Sequence, residues 1–180
     1  ELKELFGTSL GSSITDSIYA ASNKRRISKD TILDYLLYSK NACFIHQAPR
    51  EDIKGKKVLK HNEKYFLVDH GFYQAKYGDI ENIGSVLENI VYIELLRRGY
   101  DVKIGIINDK EIDFIVPDEN LAIQVSYSIT EETTYNREVP PLVKYAKAHE
   151  DWKCLLITYD EEDTKDGILV VPVWKWLTEN

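Results

Sequence analysis

The chain predicts an α/β fold: a core of order α-β-β-β-α-β over residues 84–173, preceded by a small α+β unit. Three observations carry this reading. Residues 84–98 form a helix pattern that is apolar around most of its girth, as a helix buried on more than one side must be. Three short apolar runs follow, at 102–107, 111–116 and 121–127, and turn residues separate them. A second helix pattern then leads to 153–159, which is nearly all apolar, as a central strand is.

Taken in order, residues 1–26 read as one or two short helices broken by Gly7 and by Gly11-Ser12-Ser13. Ser28 can cap a helix over 29–40, with Asp30 favourable in its first turn. Ile32, Leu33, Leu36 and Leu37 share one face of it. Residues 43–48 read as a strand stopped by Pro49, Lys54-Gly55-Lys56-Lys57 as a turn, and 64–69 as a second strand. Helix, strand, basic turn, strand is the order of a winged helix, with the turn as its wing. The expected division is a winged-helix-like part at 1–69, a linker at 70–83, and the α/β part at 84–180. Gly99 stops the long helix. The three strands after it are expected to be antiparallel. Pro140-Pro141 is expected to begin the next helix, which runs to about His149. An acidic loop at 160–166 leads to a last strand at 168–173, and Trp174-Lys175-Trp176-Leu177 closes the chain. One tryptophan of that pair is expected in the core and the other at an edge.

Composition narrows the function classes. The chain has 180 residues, 43% hydrophobic and 29% charged, which is ordinary for a globular protein. No apolar run is long enough to span a bilayer, so no membrane partner is expected. There is no methionine. Glu1 is therefore not a native start, and a piece of a longer chain is expected. Cys43 and Cys154 sit in apolar runs and read as buried free thiols of a reducing, cytoplasmic setting. Residues 1–64 carry a net charge of +4 and residues 65–180 a net charge of −11. The acidic part repels phosphate. The basic residues Lys24, Arg25, Arg26, Lys29, Lys54, Lys56 and Lys57 could contact a nucleic-acid backbone, or the same unit could dock a protein. His46, His61, His70 and His149 are scattered with no metal spacing.

The chemistry-bearing residues lie in 84–128. Glu88 is on the helix, Asp113 in Glu111-Ile112-Asp113-Phe114, and Gln124 in Ile123-Gln124-Val125-Ser126. Two carboxylates and an amide oxygen converging on one cleft could hold a hard cation such as Mg²⁺. They resemble the core of the PD-(D/E)xK nuclease-like superfamily, where such residues hold magnesium and a scissile phosphate. Its lysine position is Ser126 here. Lys110, Lys144 and Lys147 are the candidates to replace that lysine. The plainer reading is that Glu88 and Asp113 bond to Arg97, Arg137 or the backbone.

The series 27–36, Gly55-Lys56-Lys57, 64–72, 87–92, 94–100, 111–114, 123–126 and Arg137-Glu138 resembles the C-terminal region of bacterial and archaeal AAA+-type ATPases of the family labelled DUF4143. The resemblance implies a winged-helix-like part joined to a degenerate PD-(D/E)xK fold, following a P-loop ATPase part. No G-x-x-x-x-G-K-[ST] occurs here, so ATP would bind only outside this chain. Two functions are expected. One is a non-catalytic region of such an ATPase, with no cofactor of its own, contacting DNA, the ATPase part or another protein. The other is a Mg²⁺-dependent DNA endonuclease with a relocated lysine.

Overall fold

The computed structural model describes residues 29–52, 57–58, 63–72, 83–107 and 110–179. The expected helices at 1–26 and the basic residues Lys24, Arg25, Arg26, Lys54 and Lys56 lie outside them. Lys29 and Lys57 are described in their backbone only.

Helix α1 (Lys29–Asn41) leads to β1 (Ile45–Ala48), β2 (Arg50–Asp52), β3 (Lys57–Val58) and β4 (Lys64–Leu67). Helix α2 (Ile83–Arg97) precedes β5 (Lys103–Ile107), β6 (Lys110–Val116) and β7 (Leu121–Val125). Then come α3 (Glu132–Ala148), β8 (Lys153–Thr158), β9 (Asp163–Lys165), β10 (Ile168–Pro172) and α4 (Val173–Thr178). The class is α/β. Its eight-stranded mixed sheet has the order β3-β2-β5-β6-β7-β8-β10-β9. Strands β5, β6 and β7 are antiparallel neighbours, while β7, β8 and β10 run parallel.

Helix α2 covers one face of the sheet through Leu87, Val91 and Leu95, spaced one turn apart and packed with Phe114, Ile123 and Ile157. Helix α3 covers the other face, where Val139, Leu142 and Tyr145 meet Ile112, Ile115 and Leu156. Gly99 ends α2 at φ 83°, with Gly99 N–H donating to Leu96 O and Tyr100 N–H to Leu95 O. This pair of hydrogen bonds is the Schellman cap, which needs a left-handed residue.

Strands β1 and β4 pair antiparallel, from Ile45 opposite Leu67 to Ala48 opposite Lys64. Two described strands between them join the large sheet. Strand β2 runs parallel to β5, and β3 extends the sheet beyond it. Pairing with β2 satisfies backbone groups that an open β5 edge would leave unpaired. Strands β2 and β3, placed by sequence in the first part, thus pair into the large sheet.

Two further expectations are corrected. Helix α3 begins at Glu132 and carries Pro140 and Pro141 in its interior. Each proline deprives a carbonyl four residues back, at Asn136 and Arg137, of its donor. Both residues are exposed, so water can replace it. Cys43 is an exposed turn residue at φ 54°, and Cys154 is half-buried; both thiols are free. The closing residues form helix α4, and its tryptophans divide as expected: Trp176 is buried under Arg98 (4.4 Å to the ring centroid) and Trp174 is exposed.

Candidate functional site

The site forms where β4, α2 and β6 meet. Glu88 projects from the first half of α2 toward the sheet. Glu111 and Asp113 stand two residues apart on β6 and so share a face. Oxygens from these three carboxylates lie within 4.8 Å of one another. A bulge in β6 shapes this arrangement: Lys103 pairs with Ile115 but Gly105 with Ile112, so β6 holds one extra residue. The bulge lets Asp113 face α2 while Phe114 and Val116 also pack on that side.

At the centre of the carboxylates lies the ammonium of Lys64. Its Nζ donates to Glu88 Oε1 and to Glu111 Oε1 (2.9 Å), and it lies 3.9 Å from Asp113 Oδ1. Arg50 of β2 adds a second buried cation, 2.7 Å from Glu111 Oε2. Two details fix Lys64 in place. The Asn89 amide accepts from Leu67 N–H (2.8 Å) and donates to Leu67 O (3.1 Å), clamping β4 onto α2. Phe66 of β4 stacks on Tyr92 of α2 at 3.9 Å between centroids.

The charges answer one another. Burial opposes the charge on Lys64, but Glu88, Asp113 and Glu111 together outweigh it and hold the ammonium well above the usual lysine range. Burial pushes Glu88 up, and Lys64 pulls it partly back. Burial, and then the neighbouring charge of Glu88, push Asp113 well above the usual carboxylate range.

The residues singled out by sequence fall as follows. Glu88 and Asp113 converge. Gln124 reaches Asp113 through the backbone: its Oε1 faces Asp113 N–H (3.4 Å), and its Nε2 donates to Glu138 Oε2 of α3 (2.7 Å). Asp113 Oδ2 in turn accepts from Val125 N–H (2.8 Å). Ser126 is buried and donates to Ser128 O (2.9 Å). Lys110, Lys144 and Lys147 are exposed; the lysine beside the carboxylates is Lys64. Nor do Arg97 and Arg137 serve Glu88 and Asp113, because they pair with Glu94 and Glu138.

Sequence reasoning missed Lys64, Arg50 and Glu111. Glu111 had a signal, because alternation puts residue i−2 on the same face as Asp113. Lys64 and Arg50 had none, since their strands reach the site by long-range pairing.

The carboxylate set has the chemistry of a hard-cation site. With Lys64 in place it does not fit Mg²⁺, because the space among the oxygens already holds an ammonium. The arrangement is a charge-compensated polar node with one side open to a cleft.

The chain is similar to two proteins without assigned function. An uncharacterized protein of Haemophilus influenzae is 43% identical over 157 residues, covering 84% of this chain and 38% of that protein. The uncharacterized protein MJ1544 of Methanocaldococcus jannaschii is 32% identical over 169 residues, covering 84% of this chain and 37% of that protein. The chain thus spans less than two fifths of the length of these relatives. No family model matches the chain, and no solved structure matches it. Among the described residues, no helix is long and apolar enough to cross a membrane.

Proposed function

We propose that this chain is a non-catalytic binding and regulatory region of a cytoplasmic AAA+-type ATPase, with a degenerate PD-(D/E)xK fold that contacts protein or DNA. One observation carries the reading: Lys64 supplies, from within the chain, the positive charge that a working site of this kind takes from metal. Ser126 stands where the superfamily has lysine, and its hydroxyl is committed to Ser128 O. The free cysteines fit a reducing compartment. More than half of each relative lies outside the matched length, which leaves room for an ATPase part.

The test is cleavage. The chain, incubated with Mg²⁺ or Mn²⁺ and either duplex or single-stranded DNA, is expected to leave both intact. A second reading has its own observation. Lys64 lies beside Asp113 and bonds Glu88 and Glu111, as a relocated lysine of a metal-dependent endonuclease could. Metal-dependent cutting that Asp113→Asn abolishes would establish that reading and overturn the first.

A further inference from the structure

The cleft beside the carboxylates measures about 800 Å³, far more than an ion fills. Among the described residues, Glu88, Asp113, Glu131 and Glu138 line it with Arg137 as the lining cation, and Lys64 pairs with Glu88 and Asp113. Arg137 exposes 71% of its side chain and is paired with Glu138. Phosphate entering here would face carboxylates, whereas a cation is attracted.

Two further observations narrow the ligand. Asp113 is buried, with 12% of its side chain exposed, and its Oδ2 is used by Val125 N–H. Its Oδ1 accepts no hydrogen bond among the described residues; Lys64 Nζ lies 3.9 Å away. Asp113 lines the cleft, so a ligand held there can donate to it. Tyr127 lines the cleft and stacks on Tyr159 at 5.1 Å with 26° between their planes; they are 43% and 52% exposed. Tyr159 N–H donates to Tyr127 O (3.1 Å), so the backbone fixes the pair where β7 and β8 end. An exposed π-face next to carboxylates suits a guanidinium, which stacks flat and donates in its plane. A hard metal ion would gain nothing from the rings.

We propose that this cleft docks an arginine-bearing segment of a protein partner, the guanidinium lying over the Tyr127–Tyr159 pair and donating to Asp113 and Glu131. The proposal rests on the non-catalytic reading and gives it a partner chemistry.

The experiment measures fluorescence anisotropy of a labelled, end-blocked peptide with four arginines spaced by glycine and serine, titrated with the chain. Its citrulline counterpart keeps the shape without the charge. The arginine peptide is expected to bind, and the citrulline peptide at least tenfold more weakly. Tyr127→Ala, Tyr159→Ala and Glu131→Gln should each weaken binding about threefold or more. Glu119→Gln removes the same charge away from the cleft and should change nothing. Equal binding of the citrulline peptide, or equal loss in Glu119→Gln and Glu131→Gln, overturns the proposal. So does oligothymidylate binding that Tyr127→Ala weakens, which would make the cleft a nucleic-acid site. Absent peptide binding without DNA cleavage sinks only this proposal. Metal-dependent cleavage abolished by Asp113→Asn sinks the reading beneath it.

Discussion

Replacing Lys64 with methionine keeps most of the side-chain volume and removes the ammonium. Arg50 still compensates Glu111, so the loss falls on Glu88 and Asp113. The Lys64 side chain is only 4% exposed, and water cannot replace it without opening the β4–α2 contact. Breaking a buried pair by removing one partner costs about 3–5 kcal/mol. For a chain of this size that lowers the melting temperature by roughly 6–20 °C. The pH dependence follows from the carboxylates. Both have folded-state pKa values above the ordinary range, and the variant loses the pull of Lys64 that lowers them. The folded variant then binds more protons than the unfolded chain between the ordinary carboxylate range and the raised values. Its stability falls as pH rises through that window. The deficit should therefore be smallest in acid and complete at alkaline pH. Denaturant unfolding of parent and variant from pH 4 to 9 reads this out. A deficit under about 1 kcal/mol at pH 8, or one independent of pH, refutes the reasoning.

Other outcomes follow from single contacts. Asn89→Leu strands the buried N–H and C=O of Leu67 and should cost about 2–4 kcal/mol in denaturant unfolding, since each lost buried bond costs about 1–3. Glu94 is held at about 2 by the hydrogen bond from Arg97, against burial and with help from Arg98. Its contribution is present above the unfolded carboxylate value and is lost as pH falls toward 2. Glu94→Gln should therefore flatten the acid limb of the stability curve below about pH 5. Gly99→Ala meets no steric neighbour but must adopt φ 83°, so thermal melts should show a loss of about 1–2 kcal/mol.

What could be read from sequence was local. The apolar girth of residues 84–98 marks α2, Gly99 marks its end, and the turn residues separate β5, β6 and β7. Glu88 and Asp113 stood out because carboxylates in apolar surroundings need a partner. The partner itself was hidden. Lys64 sits in a short strand whose neighbours in sequence give no hint of α2, and the Asn89 clamp and the aromatic stack bring it there. The same holds for Arg50, which reaches Glu111 because β2 adds to the edge of β5. Pro140-Pro141 misled by a local rule: a helix whose proline turn faces water tolerates the lost bonds. The bulge at Asp113 gave no signal either, since it lies in a run without glycine.

Mn²⁺ titration followed by calorimetry, on the parent chain and on Lys64→Met at neutral pH, tests most directly whether Lys64 takes the place of a metal. The expected result is no saturable Mn²⁺ binding by the parent below millimolar concentration, and a new site in Lys64→Met that Asp113→Asn removes. Tight Mn²⁺ binding by the parent, lost in Asp113→Asn, would show that the carboxylates hold a metal with Lys64 present, and would contradict it.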